Sequence, residues 1–320
     1  MNRIRTDILE IAFEEGGPPD GIPVLLLHGW PDAPRGWNEV SQHLHANGYR
    51  TIAPFLRGSS PTEFLLKETP RVGAGVALAQ DAIDLADALG LKNFAVVGHD
   101  WGARVAYILA ALFPERVTAI AALALAYQPR GQFSVPSFEQ SRRSWYQWFM
   151  CTDAGAEAVR KDPIGFARIQ WETWSPPVSR DYGRPRPQWF SDEEFAQTAE
   201  SFRSPDWVEI SLNAYRARWL HGDHDRGRQG EAWDARYDAL QSRLGEVEYL
   251  STPTLMIQGL SDYCDAPQES EGLERFFTGR YCRVVLENVG HFPHREAPGL
   301  VADAVFDHFH QSIKPHSHRA

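Results

Sequence analysis

The chain has 320 residues, which suits one large domain or a core domain with an insertion. It carries a formal net charge of −10 and no basic stripe, so we do not expect nucleic acid as a partner. Its three cysteines lack the Cys-x-x-Cys spacing of zinc sites, so we expect no metal, no disulfide framework and a reducing compartment. No stretch resembles a signal peptide or reaches the ~20 apolar residues of a membrane span, so we expect a cytoplasmic protein that does not bind membranes.

The first 127 residues alternate between strand and helix patterns. Apolar runs predict strands, and apolar residues at helical spacing predict one clear helix among them. Continuous apolar strands separated by helices are typical of a parallel sheet that is covered on both faces. The predicted strands are 22–27, 50–54, 94–97 and 117–125, and the predicted helix is 77–89.

The middle of the chain has a different composition. It is rich in tryptophan and arginine, and several prolines interrupt its helical patterns. The stretch Trp174–Pro187 is predicted to be a loop. The predicted helices of this region are 137–150, 154–161, 191–202, 206–220 and 230–243.

Strand patterns then resume at 253–259 and 282–286, a helix is predicted at about 298–312, and the tail Lys314–Ala320 is expected to fray. We therefore predict an α/β core whose sheet is interrupted by a helical cap. The carboxyl edge of such a sheet is where ligands bind, so we expect the cap to cover that edge. The predicted domains are a core of residues 1–127 and 245–320 and a cap of residues 128–244.

The run Val-Val-Gly-His-Asp-Trp-Gly at 96–102 joins a predicted strand to a predicted helix. A sharp strand-to-helix turn between small residues is typical of a nucleophile elbow. The residue at its apex is held at the sheet edge, beside the free N–H groups of the helix start. Most such elbows carry serine, whereas this one carries Asp100. A carboxylate can attack an electrophilic carbon and form an ester, so Asp100 is the predicted nucleophile.

An ester intermediate must be hydrolysed by an activated water. The partners expected are an acid and then a histidine, following the nucleophile in the chain. Asp262 follows one late strand and His291 follows the next. We predict that His291 is the general base and that Asp262 fixes its tautomer. Asp265 is a rival acid, although its place near a proline suggests a helix-capping residue.

The motif His-Gly-Trp-Pro at 28–31 follows a core strand. We predict that the backbone N–H groups of Trp30 and Trp101 form an oxyanion hole. The tryptophan-rich cap suggests a small apolar or aromatic molecule as ligand. The residues expected in its pocket are His28, Pro31, Trp148 and Phe292.

Together these motifs resemble the α/β-hydrolase fold over nearly the whole chain. The aspartate at the elbow resembles the branch that contains epoxide hydrolases and haloalkane dehalogenases. The resemblance implies a hydrolase that needs no cofactor. One departure is the sequence Ser59-Ser60-Pro61, where the family usually has another glycine after Leu-Arg-Gly at 56–58. This difference affects the expected shape of that loop, and the predicted triad does not depend on it.

The resemblance to epoxide hydrolases also implies two cap tyrosines that protonate the ring oxygen. Tyr146, within Ser144–Phe149, and Tyr215, within Leu212–Arg216, lie in segments that resemble those of the family. The predicted reaction is therefore the hydrolysis of an epoxide to a vicinal diol through an Asp100 ester.

Two alternatives remain open at the level of sequence. A haloalkane dehalogenase would use the same triad but would need N–H donors for the departing halide. The indole N–H groups of Trp101 and Trp30 are the candidate donors. A catalytically silent binding protein would keep the cavity and lose the chemistry. We expect a monomer or a homodimer.

Overall fold

The structure is a computed structural model that describes residues 1–177, 186–219 and 231–313. Part of the predicted loop 174–187, the adjoining ends of the predicted helices 206–220 and 230–243, and the predicted frayed tail lie outside the described residues.

One sheet forms the centre of the molecule. Its strands are β1 (Asn2–Arg5), β2 (Leu9–Gly16), β3 (Ile22–Leu27), β4 (Tyr49–Pro54), β5 (Glu63–Phe64), β6 (Phe94–His99), β7 (Val117–Leu123), β8 (Thr254–Gly259) and β9 (Tyr281–Leu286). They lie in the order β1-β2-β4-β3-β6-β7-β8-β9, and β5 pairs with β2. All neighbours from β4 to β9 in this order are parallel, whereas β1 and β2 are antiparallel additions at one edge. The prediction of a mostly parallel sheet is confirmed; β1 and β2 had not been predicted.

Helices cover both faces of this sheet. Their bounds are α1 (Asn38–Ala46), α2 (Gly75–Ala88), α3 (Trp101–Leu112), α4 (Phe138–Arg143), α5 (Trp145–Cys151), α6 (Asp153–Lys161), α7 (Pro163–Thr173), α8 (Asp192–Ala199), α9 (Pro205–Trp219), α10 (Asp238–Glu246), α11 (Pro293–Glu296) and α12 (Pro298–Ser312). No helix in the described parts of the chain combines the length and apolarity that a membrane span requires.

The alternation of side chains along the strands creates two apolar layers. In β3, Leu25 and Leu27 pack with α2, α3 and α10, whereas Val24 and Leu26 pack with α1 and α12 on the opposite face. Successive side chains of a strand point to opposite faces, so one continuous apolar strand serves both layers. The buried sheet is therefore a rigid base for the loops at its carboxyl edge.

The helices between β7 and β8 cover that edge. The predicted helix 137–150 is two helices, α4 and α5, because the chain turns at Ser144. Helix α7 had not been predicted, since Pro163 was taken as a break. It is instead the first residue of the helix, after an Asp162 side chain that accepts a hydrogen bond from the Gly165 N–H at 2.8 Å. Proline is well tolerated at that position because its missing N–H would be unpaired anyway.

The last helix of this region, α10, differs from those before it. It packs on α3 and on the Pro129–Gly131 turn, and its Leu244 belongs to the apolar layer of α2 and α3. By its contacts α10 lies with the core, although the predicted cap of residues 128–244 included most of it. Helices α5 to α9 contribute instead to a separate aromatic cluster above the sheet edge.

A buried ion pair ties the loop after β4 to α2. The Arg57 guanidinium donates to both carboxylate oxygens of Asp81, each at 2.6 Å, and to the Tyr237 hydroxyl at 2.9 Å. It also donates to the backbone carbonyls of Val72 and Ala77. Every contact joins segments that are distant in the sequence, so this arginine links the loop, α2 and the turn before α10.

Replacing Arg57 by methionine should destabilise the fold by about 3–5 kcal/mol, because the Asp81 carboxylate would stay buried without its partner. The urea midpoint of unfolding measures this change. The control is Arg130→Met, which removes an exposed pair with Glu248 and should cost no more than about 1 kcal/mol. Equal midpoints for the two variants would contradict the assigned role of Arg57.

Candidate active site

Four parallel strands bring the predicted site residues to one edge of the sheet. Trp30 follows β3, Asp100 follows β6, Asp262 follows β8 and His291 follows β9. The carboxyl ends of parallel strands meet at the same edge, so residues separated by up to 261 positions in the sequence become neighbours. All four residues are buried.

Asp100 occupies the apex of a tight elbow between β6 and α3. Its backbone has φ 51° and ψ −114°, a conformation that an L-residue rarely adopts and that costs of order 1–3 kcal/mol. The turn is possible only because its flanks are glycines. A Cβ atom on Gly98 would lie 2.1 Å from the Gly102 carbonyl oxygen, and one on Gly102 would lie 2.0 Å from that of Leu27. The close packing of the elbow therefore fixes the direction of the Asp100 side chain.

The two carboxylate oxygens of Asp100 have different surroundings. Oδ1 accepts a hydrogen bond of 2.8 Å from the Trp30 backbone N–H. Oδ2 lies 3.6 Å from Nε2 of His291. One oxygen is therefore held by the predicted oxyanion-hole donor, while the other remains free for attack. The backbone N–H of Trp101, the second predicted donor, makes no hydrogen bond to the described residues, and it lies in the first turn of α3.

The imidazole of His291 is oriented by Asp262. Its Nδ1–H donates to Asp262 Oδ2 at 2.9 Å, and Nε2 faces Asp100. Asp262 is itself held in place: Oδ1 accepts from the backbone N–H groups of Cys264 and Asp265 at 2.7 and 2.8 Å. The rival acid, Asp265, thus contributes its backbone to the position of Asp262, and its own carboxylate makes no ion pair with His291 within the described residues.

His99, which precedes Asp100, contacts the loop that carries His291. Its Nε2–H donates to the backbone carbonyl of His291 at 2.7 Å. Burial is the main reason that the pKa of His99 lies well below its ordinary value, so this ring is neutral. The residue had not been predicted as part of the site. Its position directly before the apex of the elbow was the available signal.

The hydroxyl groups of the two cap tyrosines lie beside the nucleophile. Trp101 donates its indole N–H to the Tyr215 oxygen at 3.0 Å, and Gln147 donates its side-chain N–H to the Tyr146 oxygen at 2.8 Å. The two rings meet edge to face, with centroids 5.5 Å apart. Each oxygen already accepts a hydrogen bond, so each phenolic proton can be donated to a further acceptor. For Tyr146 the nearest such group is Cys264, whose Sγ lies 3.5 Å from the hydroxyl oxygen.

Burial keeps these phenols protonated. It is the main cause that raises the pKa of Tyr146 and of Tyr215 above the ordinary value of 10.0, and the charge of Asp100 acts in the same direction. Both groups are therefore available as proton donors at neutral and moderately alkaline pH.

A cavity of about 410 Å³ opens at Asp100. Its walls come from the elbow, α5, α9, the 125–136 loop and the segment after β8. Both tyrosines line it, together with polar and charged side chains that the sequence analysis had not selected. The most prominent of these are Arg104, Gln147, Arg218 and Asp265.

The four residues predicted for the pocket lie around this cavity and do not line it. His28 is held by the backbone: its Nδ1–H donates to the Gly29 carbonyl, and Nε2 accepts from the Leu56 N–H. The Pro31 carbonyl accepts from the indole of a cap tryptophan. Trp148 donates to the Ser141 carbonyl and packs on another indole, and Phe292 is fully buried against aromatic rings. These residues support the loops and the cap.

A second buried polar cluster lies behind the site. Asp32, His99 and His294 place candidate metal-ligand atoms within 4.8 Å of one another. Both oxygens of Asp32 already accept from Arg295, at 2.6 and 3.1 Å, and Oδ2 also accepts from His294. The guanidinium supplies the positive charge that this carboxylate requires, whereas Nδ1 of His99 and Nδ1 of His294 have no hydrogen-bond partner among the described residues.

The comparison with known families agrees with this geometry. Residues 22–298 match the family model of the α/β hydrolase fold. The chain belongs to the α/β-hydrolase family. This hydrolase resembles epoxide hydrolases over almost its full length.

Two relatives of the hydrolase bear that name. It is 26% identical to epoxide hydrolase A of Mycobacterium tuberculosis, over 95% of each chain. It is 28% identical to an epoxide hydrolase of Caballeronia sordidicola, over 94% of this chain and 90% of the relative. A crystal structure of a Klebsiella pneumoniae protein, provisionally described as an epoxide hydrolase, superposes with a TM-score of 0.84 and 33% identity over 96% of each chain.

The Asp262→Asn variant should lower the pKa of His291, because the charge of Asp262 raises that pKa in the native protein. Asp265→Asn is the matched control and should lower it less, since Asp265 does not contact the ring. Titration of the His291 ring by NMR measures both changes. A larger drop in the Asp265 variant would identify Asp265, the rival, as the acid partner.

Proposed function

We propose that the hydrolase converts an epoxide to a vicinal diol through a covalent ester on Asp100. The observation that carries this proposal is the pair of phenols, Tyr146 and Tyr215, whose oxygens each accept a hydrogen bond from a fixed donor beside the nucleophile. Opening an epoxide leaves a negative charge on the ring oxygen, and a proton donor stabilises that charge. The epoxide hydrolase names of the full-length relatives support the same reaction.

In the first step, Oδ2 of Asp100 attacks a ring carbon from the side opposite the departing oxygen. The bond between that carbon and the ring oxygen breaks, and a phenol of Tyr146 or Tyr215 gives the oxygen its proton. The product is an ester of Asp100 with a free neighbouring hydroxyl group. Covalent catalysis of this kind divides one difficult displacement into two easier steps.

In the second step, His291 removes a proton from water, and the resulting hydroxide attacks the ester carbon of Asp100. Negative charge then develops on Oδ1, where the Trp30 backbone N–H is already in place at 2.8 Å. A donor that needs no rearrangement stabilises such a charge most effectively. When the tetrahedral intermediate collapses, the departing diol oxygen takes up the proton held by His291. The Asp100 carboxyl gives its remaining proton to the phenolate left by the first step, which restores the carboxylate, the neutral imidazole and the phenol.

The electrostatics of His291 suit both steps. Burial alone would lower its pKa, but the charge of Asp262, the hydrogen bond to Asp262 and the nearby Asp100 carboxylate raise it well above the ordinary value. Formation of the ester removes the charge of Asp100 and with it one source of this stabilisation. The pKa of His291 then falls, so the neutral ring that can accept a proton from water becomes more populated.

The dehalogenase alternative is disfavoured by the same hydrogen bonds. It would need the indole N–H groups of Trp101 and Trp30 for a departing halide. Trp101 donates to the Tyr215 hydroxyl at 3.0 Å, and Trp30 donates to the Ser211 hydroxyl at 2.8 Å. Both donors are therefore engaged with the cap.

Changing Tyr146 or Tyr215 to phenylalanine should slow ester formation from styrene oxide by about 10²-fold or more, and the double variant should form no detectable diol. Tyr249→Phe, at an exposed position, is the control. Normal diol formation by the double variant, or halide release from haloalkanes without epoxide turnover, would contradict the proposal.

For the wild type, kcat/KM should not fall as the pH rises towards 10, because both phenol pKa values lie above 10.0. Rapid-mixing kinetics with styrene oxide measure this dependence.

A further inference from the structure

The cavity above Asp100 holds two guanidinium groups that the proposed reaction does not use. Arg104 extends from α3 and Arg218 extends from α9, and both line the cavity. Their central carbons lie 4.4 Å and 3.5 Å from the centroid of the same ring, that of Phe133. The two carbons therefore cannot lie farther apart than the sum of these distances, about 8 Å.

Neither guanidinium has an anionic partner in residues 1–177, 186–219 and 231–313. Arg104 makes no ion pair there, and the hydrogen bond of Arg218 is to the side-chain oxygen of Gln147 at 3.3 Å. Nε of Arg218 is buried without an acceptor. Burial and the neighbouring charge of Arg104 lower the pKa of Arg218 to about 9, so the group still carries a positive charge at neutral pH.

None of the carboxylates that line the cavity forms an ion pair with either arginine among the described residues. Asp265, Glu269 and Glu271 follow β8, and Asp100 lies at the elbow. The charges of Asp100 and Asp265 act on Arg104, and that of Asp265 acts on Arg218, without direct contact. Burial and the charge of Asp262 raise the pKa of Asp265 to about 7, so its own charge is only partly present at neutral pH. Two half-buried like charges with no ion-pair partner among the described residues favour a ligand that supplies an anion.

Each arginine lies about one helical turn along its helix from a residue of the proposed reaction. Arg104 follows Asp100 by four residues in α3, and Arg218 follows Tyr215 by three residues in α9. Residues three or four apart lie on the same face of a helix, one turn or about 5 Å along its axis. The backbone positions of both arginines are thus one helical turn from the proposed nucleophile and acid, between which the epoxide would lie.

Gln147 connects this pair to the second acid. Its side-chain oxygen accepts from Arg218 and from the indole of Trp219, the latter at 2.8 Å, so its amide N–H is directed at the Tyr146 hydroxyl. An anion bound to Arg218 would therefore be separated from the Tyr146 hydroxyl by a single side chain, that of Gln147.

We propose that the natural substrate is an epoxide that carries a carboxylate, which Arg104 and Arg218 bind about one helical turn from the oxirane. This inference rests on the proposed function and refines the substrate class, since the tryptophan-rich cap alone had suggested a purely apolar molecule. Arginine pairs suit carboxylates because the planar N–H groups bind both oxygens at once.

The test uses three epoxy acids with one, two or three methylene groups between the oxirane and the carboxylate, and the primary amide of each. For the wild type, at least one acid should exceed its amide in kcat/KM by about tenfold or more, as expected for hydrogen bonds to a charged group. The ratio should fall towards one in Arg104→Gln and Arg218→Gln, and lysine at either position should restore part of it. Arg160→Gln, which removes an exposed arginine of α6, is the matched control and should keep the wild-type ratio.

The outcomes separate this inference from the proposed function. Hydrolysis of the amides as fast as the acids by the wild type would overturn the carboxylate site and leave epoxide hydrolysis intact. If no epoxide is hydrolysed, the proposed function fails, and calorimetry with hexanoate and hexanamide still decides the carboxylate site. Preferential binding of hexanoate that is lost in Arg218→Gln would support the site, and equal binding of the two would overturn it.

Discussion

The geometry of the candidate active site depends on one carboxylate, that of Asp100, being held in a fixed direction. Asp100 has a backbone conformation that is rare for an L-residue, and the glycines at 98 and 102 allow the strand and helix to approach closely enough to maintain it. The Trp30 N–H binds one of its oxygens and leaves the other towards the cavity. A carboxylate without this constraint would rotate and form a hydrogen bond with any nearby donor, and its value as a nucleophile would fall.

The same constraint connects the core to the cap. Trp30 lies in the loop after β3 and Trp101 is the first residue of α3, on either side of Asp100. Their indoles donate to Ser211 and Tyr215 of α9. The Trp30 ring also stacks on the ring of Tyr146, with centroids 5.6 Å apart. The two cap tyrosines are therefore in contact with residues that flank Asp100. A shift of the cap would move both tyrosines and the loop whose Trp30 N–H binds Asp100.

Features with a local sequence signal could be predicted, and those that depend on distant packing could not. The elbow at Asp100, the chain order with Asp262 and His291, and the parallel sheet follow from short motifs and apolar periodicity. The segments that carry Tyr146 and Tyr215 were found by resemblance. The lining of the cavity depends on which side chains of separate elements point inwards, so the predicted residues such as His28 and Phe292 proved to be supports.

For some features that we did not predict, the sequence contains a signal that explains them. Pro163 begins a helix because an aspartate cap precedes it. Arg104 lies one turn beyond the nucleophile on α3, a spacing that indicates the same helix face. The short edge strand β1 has a mostly exposed burial pattern, so its sequence contains little apolar periodicity. The expected cytoplasmic location and oligomeric state remain predictions.

The most direct test of a covalent role for Asp100 is a single turnover of styrene oxide in water enriched in ¹⁸O, with the enzyme in excess. If the carboxylate attacks the ring, the oxygen added to the diol comes from Asp100. The first diol should then lack the label, and mass spectrometry of the peptide that contains Asp100 should find it there. Label in the first diol and none in that peptide would show that water attacks the epoxide directly and would contradict the ester mechanism.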